Sequence, residues 1–392
     1  MSTARNIYYN LKGDRTIWAI VGILAIFSML AVYSIAGSIA YSGSGSFELH
    51  MVKHGVIMLL GLGVMYVASK VEYINYSRLA PFMLGISIVL LIYTLWFGTE
   101  INDAQRWITV PGLGLTFQTS DLAKLALIVY VARSISKKQD YIKDWNSAFL
   151  PIIIPIVVVC GLIAPADLST SLLLFLTCLM MMFIGRVSMK YIFLLILAGV
   201  AVMAILIALG TLFPEMIRVD TWMSRVNEFL GNADGGYQVQ QGKIAIADGG
   251  WLGVGPGNSV QRNFLPFAHA DFIYAIICEE YGLIGAFMII GLYLGLFLRA
   301  VVMVTKCPKA FGAVLAIGLS LSLVIQAFAN IAVSLHLVPV TGLTLPMVSM
   351  GGTSMLFTCV ALGMILSVSR YIESASREAG VVKIKTVDEG NH

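Results

Sequence analysis

A carboxylate stands where a long loop runs into an apolar segment, in the stretch Leu265-Pro266-Phe267-Ala268-His269-Ala270-Asp271-Phe272. A carboxylate at a helix start is favoured by the unpaired backbone donors there and by the helix dipole. Asp271 therefore reads in two ways: as a helix cap, or as a base held at the lipid–water boundary, where a lipid-linked substrate presents its polar head. Ionisable groups in or beside membrane-depth segments are costly and are functional candidates by default. Three more sets meet that description. Lys124 lies inside an apolar run that starts near Gln118, within reach of Asp121 at i,i+3 and of Asp167 across helices, in a short turn after Pro165. Each pairing serves equally as a structural tie or as a grip on a phosphate. Arg106 precedes Trp107 in the loop Glu100–Phe117; its guanidinium suits a two-pronged grip on phosphate or carboxylate, or it lies at the interface beside a belt tryptophan. Glu279 and Glu280, two turns into an apolar segment, must face a polar interior.

Other signals carry less. The run Gly253-Val254-Gly255-Pro256-Gly257 lacks the strand and helix that a dinucleotide fingerprint needs. His50 and His54 have i,i+4 spacing, but two histidines at a membrane boundary are more often interfacial than metal ligands. Ser120 and Asp121 suit a helix cap. The five cysteines (Cys160, Cys178, Cys278, Cys307, Cys359) show no paired spacing, which argues against a disulfide framework or a zinc site. No Walker loop or metalloprotease helix motif is present, and no nucleic-acid partner is expected.

The elements that must position these residues follow from composition. Hydrophobic residues make up 58% of the 392 and charged ones 12%, with a mean hydropathy of +0.88. Soluble domains are about 45–50% apolar and 25% charged, so the excess apolar surface must face lipid. Lipid admits helices or closed barrels, and long unbroken apolar runs select helices. Such runs fall near Ile17–Ile39, Val52–Ser69, Leu79–Phe97, Gln118–Ser134, Phe149–Ala164, Ser171–Ile184, Tyr191–Phe213, Phe272–Leu298, Phe311–Leu335 and Met355–Ser369. The expectation is an all-α integral membrane protein of about ten transmembrane helices. Residues 1–16 form a cytoplasmic segment, 17–370 a single membrane domain, and 371–392 a solvated cytoplasmic tail. The first run is longer than the apolar part of a cleavable signal and reads as a helix that stays.

Lysine and arginine set the orientation. With the N-terminus inside, 18 of the 25 fall in cytoplasmic connections and every such connection is basic. Both termini are then cytoplasmic. The largest outer connection, residues 214–270 between the seventh and eighth spans, holds Trp222, Phe229, Tyr237, Trp251, Phe264 and Phe267 as apolar anchors. Its nine glycines between Gly231 and Gly257 indicate unusual backbone or close approach to a ligand, and re-entrant or interface-lying segments are expected there.

Three stretches then carry a resemblance. They are Arg106-Trp107 with Gln118-Thr119-Ser120-Asp121-Leu122-Ala123-Lys124; the loop from Gly253 to Gln261 running through Leu265-Pro266 to His269-Ala270-Asp271-Phe272; and Gln326-Ala327-Phe328-Ala329-Asn330 with Pro339, Thr341 to Pro346, Ser349 and Gly351-Gly352-Thr353-Ser354. With ten spans, from Ile17 to about Arg370, the chain resembles the SEDS family (shape, elongation, division and sporulation). Within it, Gly257 to Gln261 and Leu343 to Pro346 are more like the division branch than the elongation branch.

The resemblance implies a peptidoglycan glycosyltransferase of the bacterial cytoplasmic membrane, its active site facing outward. It would polymerise lipid II into β-1,4 glycan with inversion and release undecaprenyl pyrophosphate. The family's essential aspartate falls on Asp271, which would take the acceptor hydroxyl's proton. Arg106, Lys124, Lys243 and Arg262 are candidates for the leaving pyrophosphate, with a divalent cation as a further one. Asp167, Gln261 and His269 complete the expected substrate contacts. The implied partners are a single-span class B penicillin-binding transpeptidase and other division membrane proteins. The chain departs from the family's usual pattern at Phe267 (glutamate), Ala270 (threonine) and Asp121 (often glutamate), which weakens roles for those neighbours, including a metal ligand. A flippase for lipid-linked precursors accounts for buried charge and glycine-broken segments but not for the outer acid. A non-catalytic division scaffold is the third reading.

Overall fold

The computed structural model describes residues 13–41, 47–101, 104–109, 116–142, 144–145, 149–212, 219–231, 236–265 and 270–389. Each of the ten apolar runs folds as a helix. They are α1 (Arg15–Tyr41), α2 (Phe47–Lys70), α3 (Tyr73–Phe97), α4 (Thr119–Lys137), α5 (Leu150–Ile163), α6 (Leu168–Ile184), α7 (Met189–Leu212), α10 (Ile273–Lys306), α11 (Ala310–Ser334) and α12 (Thr353–Glu389). Between α7 and α10 lie two shorter helices, α8 (Val219–Gly231) and α9 (Tyr237–Gly249).

Among the described residues, seven helices are long and apolar enough to cross a membrane: α1, α2, α3, α7, α10, α11 and α12. The other three have separate reasons. The 19-residue α4 carries Asp121, Lys124, Arg133 and Lys137, yet most of its surface is covered by neighbouring helices, so little of it needs to suit lipid. The helices α5 and α6 have 14 and 17 residues. Pro165 follows α5 closely and has no backbone N–H with which to continue its ladder.

The core is centred on α11, which packs along α10, α4 and α6, while α12 packs along α2. Of the most apolar stretch of α11, 72% is buried, against 17% for α7, so α7 lies at the rim. The final helix continues through the segment expected as a solvated tail, to Glu389. The chain has no proline after Pro346, and Glu373 pairs with Arg377 one turn on, so nothing local stops the helix.

The connection between α3 and α4 also differs from a plain loop. It forms a small antiparallel sheet of β1 (Thr99–Ile101), β2 (Ala104–Thr109) and β3 (Thr116–Gln118), with Trp107 opposite Gln118. Thr353 Oγ1 donates to the Thr116 carbonyl at 3.1 Å and fastens this sheet to the start of α12.

The helix α10 is broken at Gly282, whose φ of 63° and ψ of −163° suit glycine alone. The segment after α9 fills the break. Val254 N donates to Glu279 O (2.9 Å), Gly255 N to Glu280 O (3.1 Å), and Leu283 N to Gly250 O (3.0 Å). At membrane depth a broken helix must find its partners within the protein, and this segment supplies them. The glycine-rich stretch, where re-entrant or interface-lying segments are expected, thus packs into the break of α10. Glu279 accepts from Val260 N at 2.8 Å, from Gln261 N at 3.2 Å and from Ser259 Oγ. Glu280 accepts from Ser34 Oγ of α1 and from Ser259 N. The two glutamates thus face a polar interior and anchor the loop to α10.

Candidate functional site

The site forms at one end of the bundle, where the starts of α4, α6, α10 and α12 meet. There the described residues enclose a cavity of about 420 Å³ whose charged lining is Arg106, Lys124, Arg225, Asp121, Asp167 and Asp271. The loop between α11 and α12 closes one wall with Val340, Gly342, Leu343 and Thr344.

Asp271 is held by its backbone. The N-cap of α10 is Phe272, which makes no side-chain cap hydrogen bond, so Asp271 does not serve as the cap. Its carbonyl accepts from Asn330 Nδ2 at 2.8 Å, and the preceding Ala270 carbonyl accepts from Ser349 Oγ at 2.7 Å. Asn330 also donates to Leu343 O (2.7 Å), and Ser349 Oγ accepts from Leu345 N (2.8 Å). Two buried side chains thereby lock residues 270–271 to residues 343–345. Among the described residues no hydrogen bond reaches the Asp271 carboxylate itself, which stays available to a ligand. Burial pushes its pKa up to about 6, with Asp167 adding to the rise and the charges of Arg225 and Arg106 opposing it.

The other charges are paired in a definite pattern. Arg106 donates to Asp167 Oδ2 at 2.9 Å, bridging β2 to the start of α6. The other carboxylate oxygen of Asp167 accepts from Thr170 N at 3.1 Å, so this residue caps α6 and orients the guanidinium together. Lys124 sits 3.2 Å from Asp121 and donates to Gln326 Oε1 at 3.0 Å, while Gln326 donates to Thr344 O. Of the two pairings open to Lys124, the structure makes the i,i+3 one; the cross-helix partner of Asp167 is Arg106.

Four of the sequence candidates therefore converge on one cavity: Arg106, Lys124, Asp167 and Asp271. The others do not line it. The Arg262 guanidinium donates to the carbonyls of Ser34 (2.8 Å) and Gly257 (2.7 Å) and so braces the re-entrant segment. Gln261 is buried there, its backbone donating to Glu279. Lys243 lies on α9, outside the cavity wall. His269 lies outside the described residues. His54 is buried in the bundle with its ring 2.9 Å from Ser28 Oγ, a structural contact. Arg225 was not singled out from sequence, yet it lines the cavity and acts on Asp271. Its signal was placement on the strongly amphipathic α8 beside Trp222.

Among the described residues no group of three or more His, Cys, Asp or Glu could hold a metal. Asp121 and Asp167 are already engaged by Lys124 and Arg106, so these residues do not make a cage for a divalent cation.

Fold and site together define a multi-pass helical membrane protein with a charged cavity at one end of its bundle. The chain belongs to the FTSW_RODA_SPOVE family, described as cell cycle protein, which it matches over residues 14–374. It is 35% identical over 383 residues to a probable peptidoglycan glycosyltransferase FtsW of Geobacter sulfurreducens, covering 96% of this chain and all of that one. A protein of the same description from Halomonas elongata is 34% identical over 367 residues, 92% of this chain and 91% of that one. Among solved structures, a chain of a peptidoglycan synthase complex described as coordinating polymerization and crosslinking superposes with a TM-score of 0.71. The identity is 24%, over 92% of this chain and 98% of that one. The rod shape determining protein RodA of Thermus thermophilus gives 0.66 at 22% identity, with the same coverages. These two share the fold.

Proposed function

We propose that this protein is a peptidoglycan glycosyltransferase of cell division, polymerising lipid II into septal glycan at the outer face of the bacterial cytoplasmic membrane. The observation that carries the reading is the Asp271 carboxylate, without a hydrogen-bond partner among the described residues and facing a cavity that also holds Arg106, Lys124 and Arg225. An acid near pH 6 is ionised at neutral pH, yet is basic enough to accept a proton.

The 4-hydroxyl of the acceptor's GlcNAc attacks the anomeric carbon of the donor's MurNAc. The bond from that carbon to the pyrophosphate oxygen breaks, the configuration inverts to β, and the hydroxyl proton passes to Asp271. Undecaprenyl pyrophosphate leaves with the electron pair, its charge met by Arg106, Lys124 and Arg225. The carboxylates of Asp167 and Asp121 aim two of those cations. Such positioning is worth several kcal/mol at a barrier, because the cavity's charges need no rearrangement as the leaving group develops. Every basic cytoplasmic connection, with both termini inside, supports an outward-facing site. The working assembly includes a single-span class B penicillin-binding transpeptidase and other division membrane proteins.

The test uses the purified chain with that transpeptidase, lipid II, and a gel of the products with and without penicillin. Wild type is expected to give polymer and Asp271→Asn none, though the variant folds and assembles. Polymer from the variant at the wild-type rate would reject Asp271 as base and revive a flippase; normal division by the variant in cells would favour a scaffold.

A further inference from the structure

A second cavity, of about 220 Å³, adjoins the first across a wall made of Arg106, Asp167 and Arg225. Its character is different. One side is the indole of Trp222 on α8, half-buried and set against the small apolar cluster of Ala164, Leu206 and Val219. The 339–341 segment lines it too, and there Thr341 Oγ1 is buried and has no hydrogen-bond partner among the described residues. A buried hydroxyl left unpaired is costly, so its place in a cavity wall points to a ligand that completes it. Ser169 and Thr221 add two further hydroxyls.

An aromatic ring, hydroxyls and two guanidiniums around a small cavity suit a sugar ring. A pyranose offers an apolar face of C–H groups to an aromatic ring and an equatorial rim of hydroxyl and acetamido groups to polar side chains. Leu168, Leu172, Val226, Pro339 and Val340 complete the lining with apolar surface, and an isoprenoid or acyl chain against it would leave the Thr341 hydroxyl unmet.

We propose that this second cavity is a glycan subsite. It holds a sugar ring of the growing strand next to the bond being made, stacked on Trp222 and hydrogen-bonded by Thr341. The inference rests on the glycosyltransferase reading of the main cavity. Its consequence is retention of the polymer between turnovers: a strand gripped outside the reaction centre rebinds at a high effective concentration and grows longer before release.

Two measurements test this, each on the full chain with its transpeptidase partner in lipid nanodiscs. The first is binding of soluble N-acetylglucosamine tetrasaccharide to the Asp271→Asn protein, read by saturation-transfer NMR and titration. Adding Trp222→Ala should weaken binding by about ten-fold or more, and Thr341→Val should weaken it less, while Trp222→Phe retains it. The second is the chain-length distribution made from lipid II by the single variants of Trp222 and Thr341. Trp222→Ala should shorten the strands by roughly half or more, with formation of the first bond within about two-fold of wild type. Unchanged tetrasaccharide binding in both Trp222→Ala and Thr341→Val would overturn the inference, as would displacement of the saccharide signal by undecaprenol alone. The Thr341→Val variant keeps shape and volume, so it decides the matter if Trp222→Ala fails to fold. Absence of polymer from wild type would bring down the main-cavity reading and this one with it. Polymer of normal length from both variants would bring down this one alone.

Discussion

The Asn330 side-chain nitrogen donates to the main-chain carbonyls of both Asp271 and Leu343, at 2.8 and 2.7 Å. One fully buried amide on α11 therefore fixes the distance between the candidate base and the loop that closes the cavity. The relation explains how Asp271 can be rigidly placed while its carboxylate is left open. The anchor acts on the peptide plane, and the side chain keeps its acceptor capacity for a substrate.

Asn330→Ala is accordingly expected to lower kcat for polymerisation by about 10²-fold, since small misplacements of a reacting group cost that much. KM should move little, because Arg106 and Lys124, the cations proposed to bind the pyrophosphate, are held by other residues. Single-turnover and steady-state kinetics on lipid II measure the split. A rise in KM with kcat intact would show that Asn330 shapes binding instead.

The pairing of charges gives a second expectation. Arg106 and Asp167 are in contact at 2.9 Å, whereas Lys124 pairs with Asp121. In thermal or denaturant unfolding, Arg106→Met and Asp167→Asn should be coupled by about 0.5–3 kcal/mol. Lys124→Met combined with Asp167→Asn should be close to additive. Each single variant loses stability chiefly because it strands a partly buried partner charge. Coupling between Lys124 and Asp167 as strong as that of Arg106 would contradict the geometry.

How far the site was legible in the sequence follows from these same residues. Hydropathy located the ten helices that fold from apolar runs, seven of which, among the described residues, are long and apolar enough to meet the requirement lipid imposes on a span. It also led to Lys124, Asp167 and Asp271, since charge near an apolar run is rare and conspicuous. What sequence could not order was who touches whom. The partner of Asp167 lies 61 residues away on the six-residue β2, and so short a strand beside an apolar run carries little periodic signal of its own. Arg225 is inconspicuous for a related reason: in a long loop a basic residue is ordinary, and only the docking of α8 brings it to the cavity. Arg262 was conspicuous by charge and motif, yet its guanidinium is spent on two backbone carbonyls. Charge alone cannot tell a ligand grip from a loop brace.

The break in α10 is a third point of test. A Cβ at Gly282 would lie 2.4 Å from the Trp251 carbonyl, and φ is positive there. Gly282→Ala should therefore cost more than the roughly 1–3 kcal/mol of a strained backbone alone, because the re-entrant segment must move as well. The expected readout is a large fall in Tm in detergent, with new protease sensitivity between Gly249 and Arg262. Near wild-type melting would mean that the kink is not fixed by these contacts.

Titration of Asp271 supplies the last expectation and separates its two contributions. Its folded-state pKa is about 6 against an ordinary 3.8, chiefly because burial disfavours the charged form. For activity, the ionised acid is the proposed base, so kcat/KM should fall as pH drops through about 6 and level off above it. For stability the sign is opposite. A raised carboxyl pKa means that the unfolded chain ionises first, so folding loses stability as pH rises from 3.8 through 6 and the loss is complete above that. Asp271→Asn is neutral throughout, so it should be the more stable protein at pH 7.5, by about 1 kcal/mol once partial solvent screening is allowed for. That advantage should shrink towards zero near pH 4. Melting of both proteins across this range, alongside the wild-type pH–rate profile, measures the same ionisation twice. A base that is also destabilising in its active form is what a catalytic carboxylate in a covered cavity requires. A variant no more stable than wild type at pH 7.5, together with a flat rate profile down to pH 5, would remove Asp271 from that role.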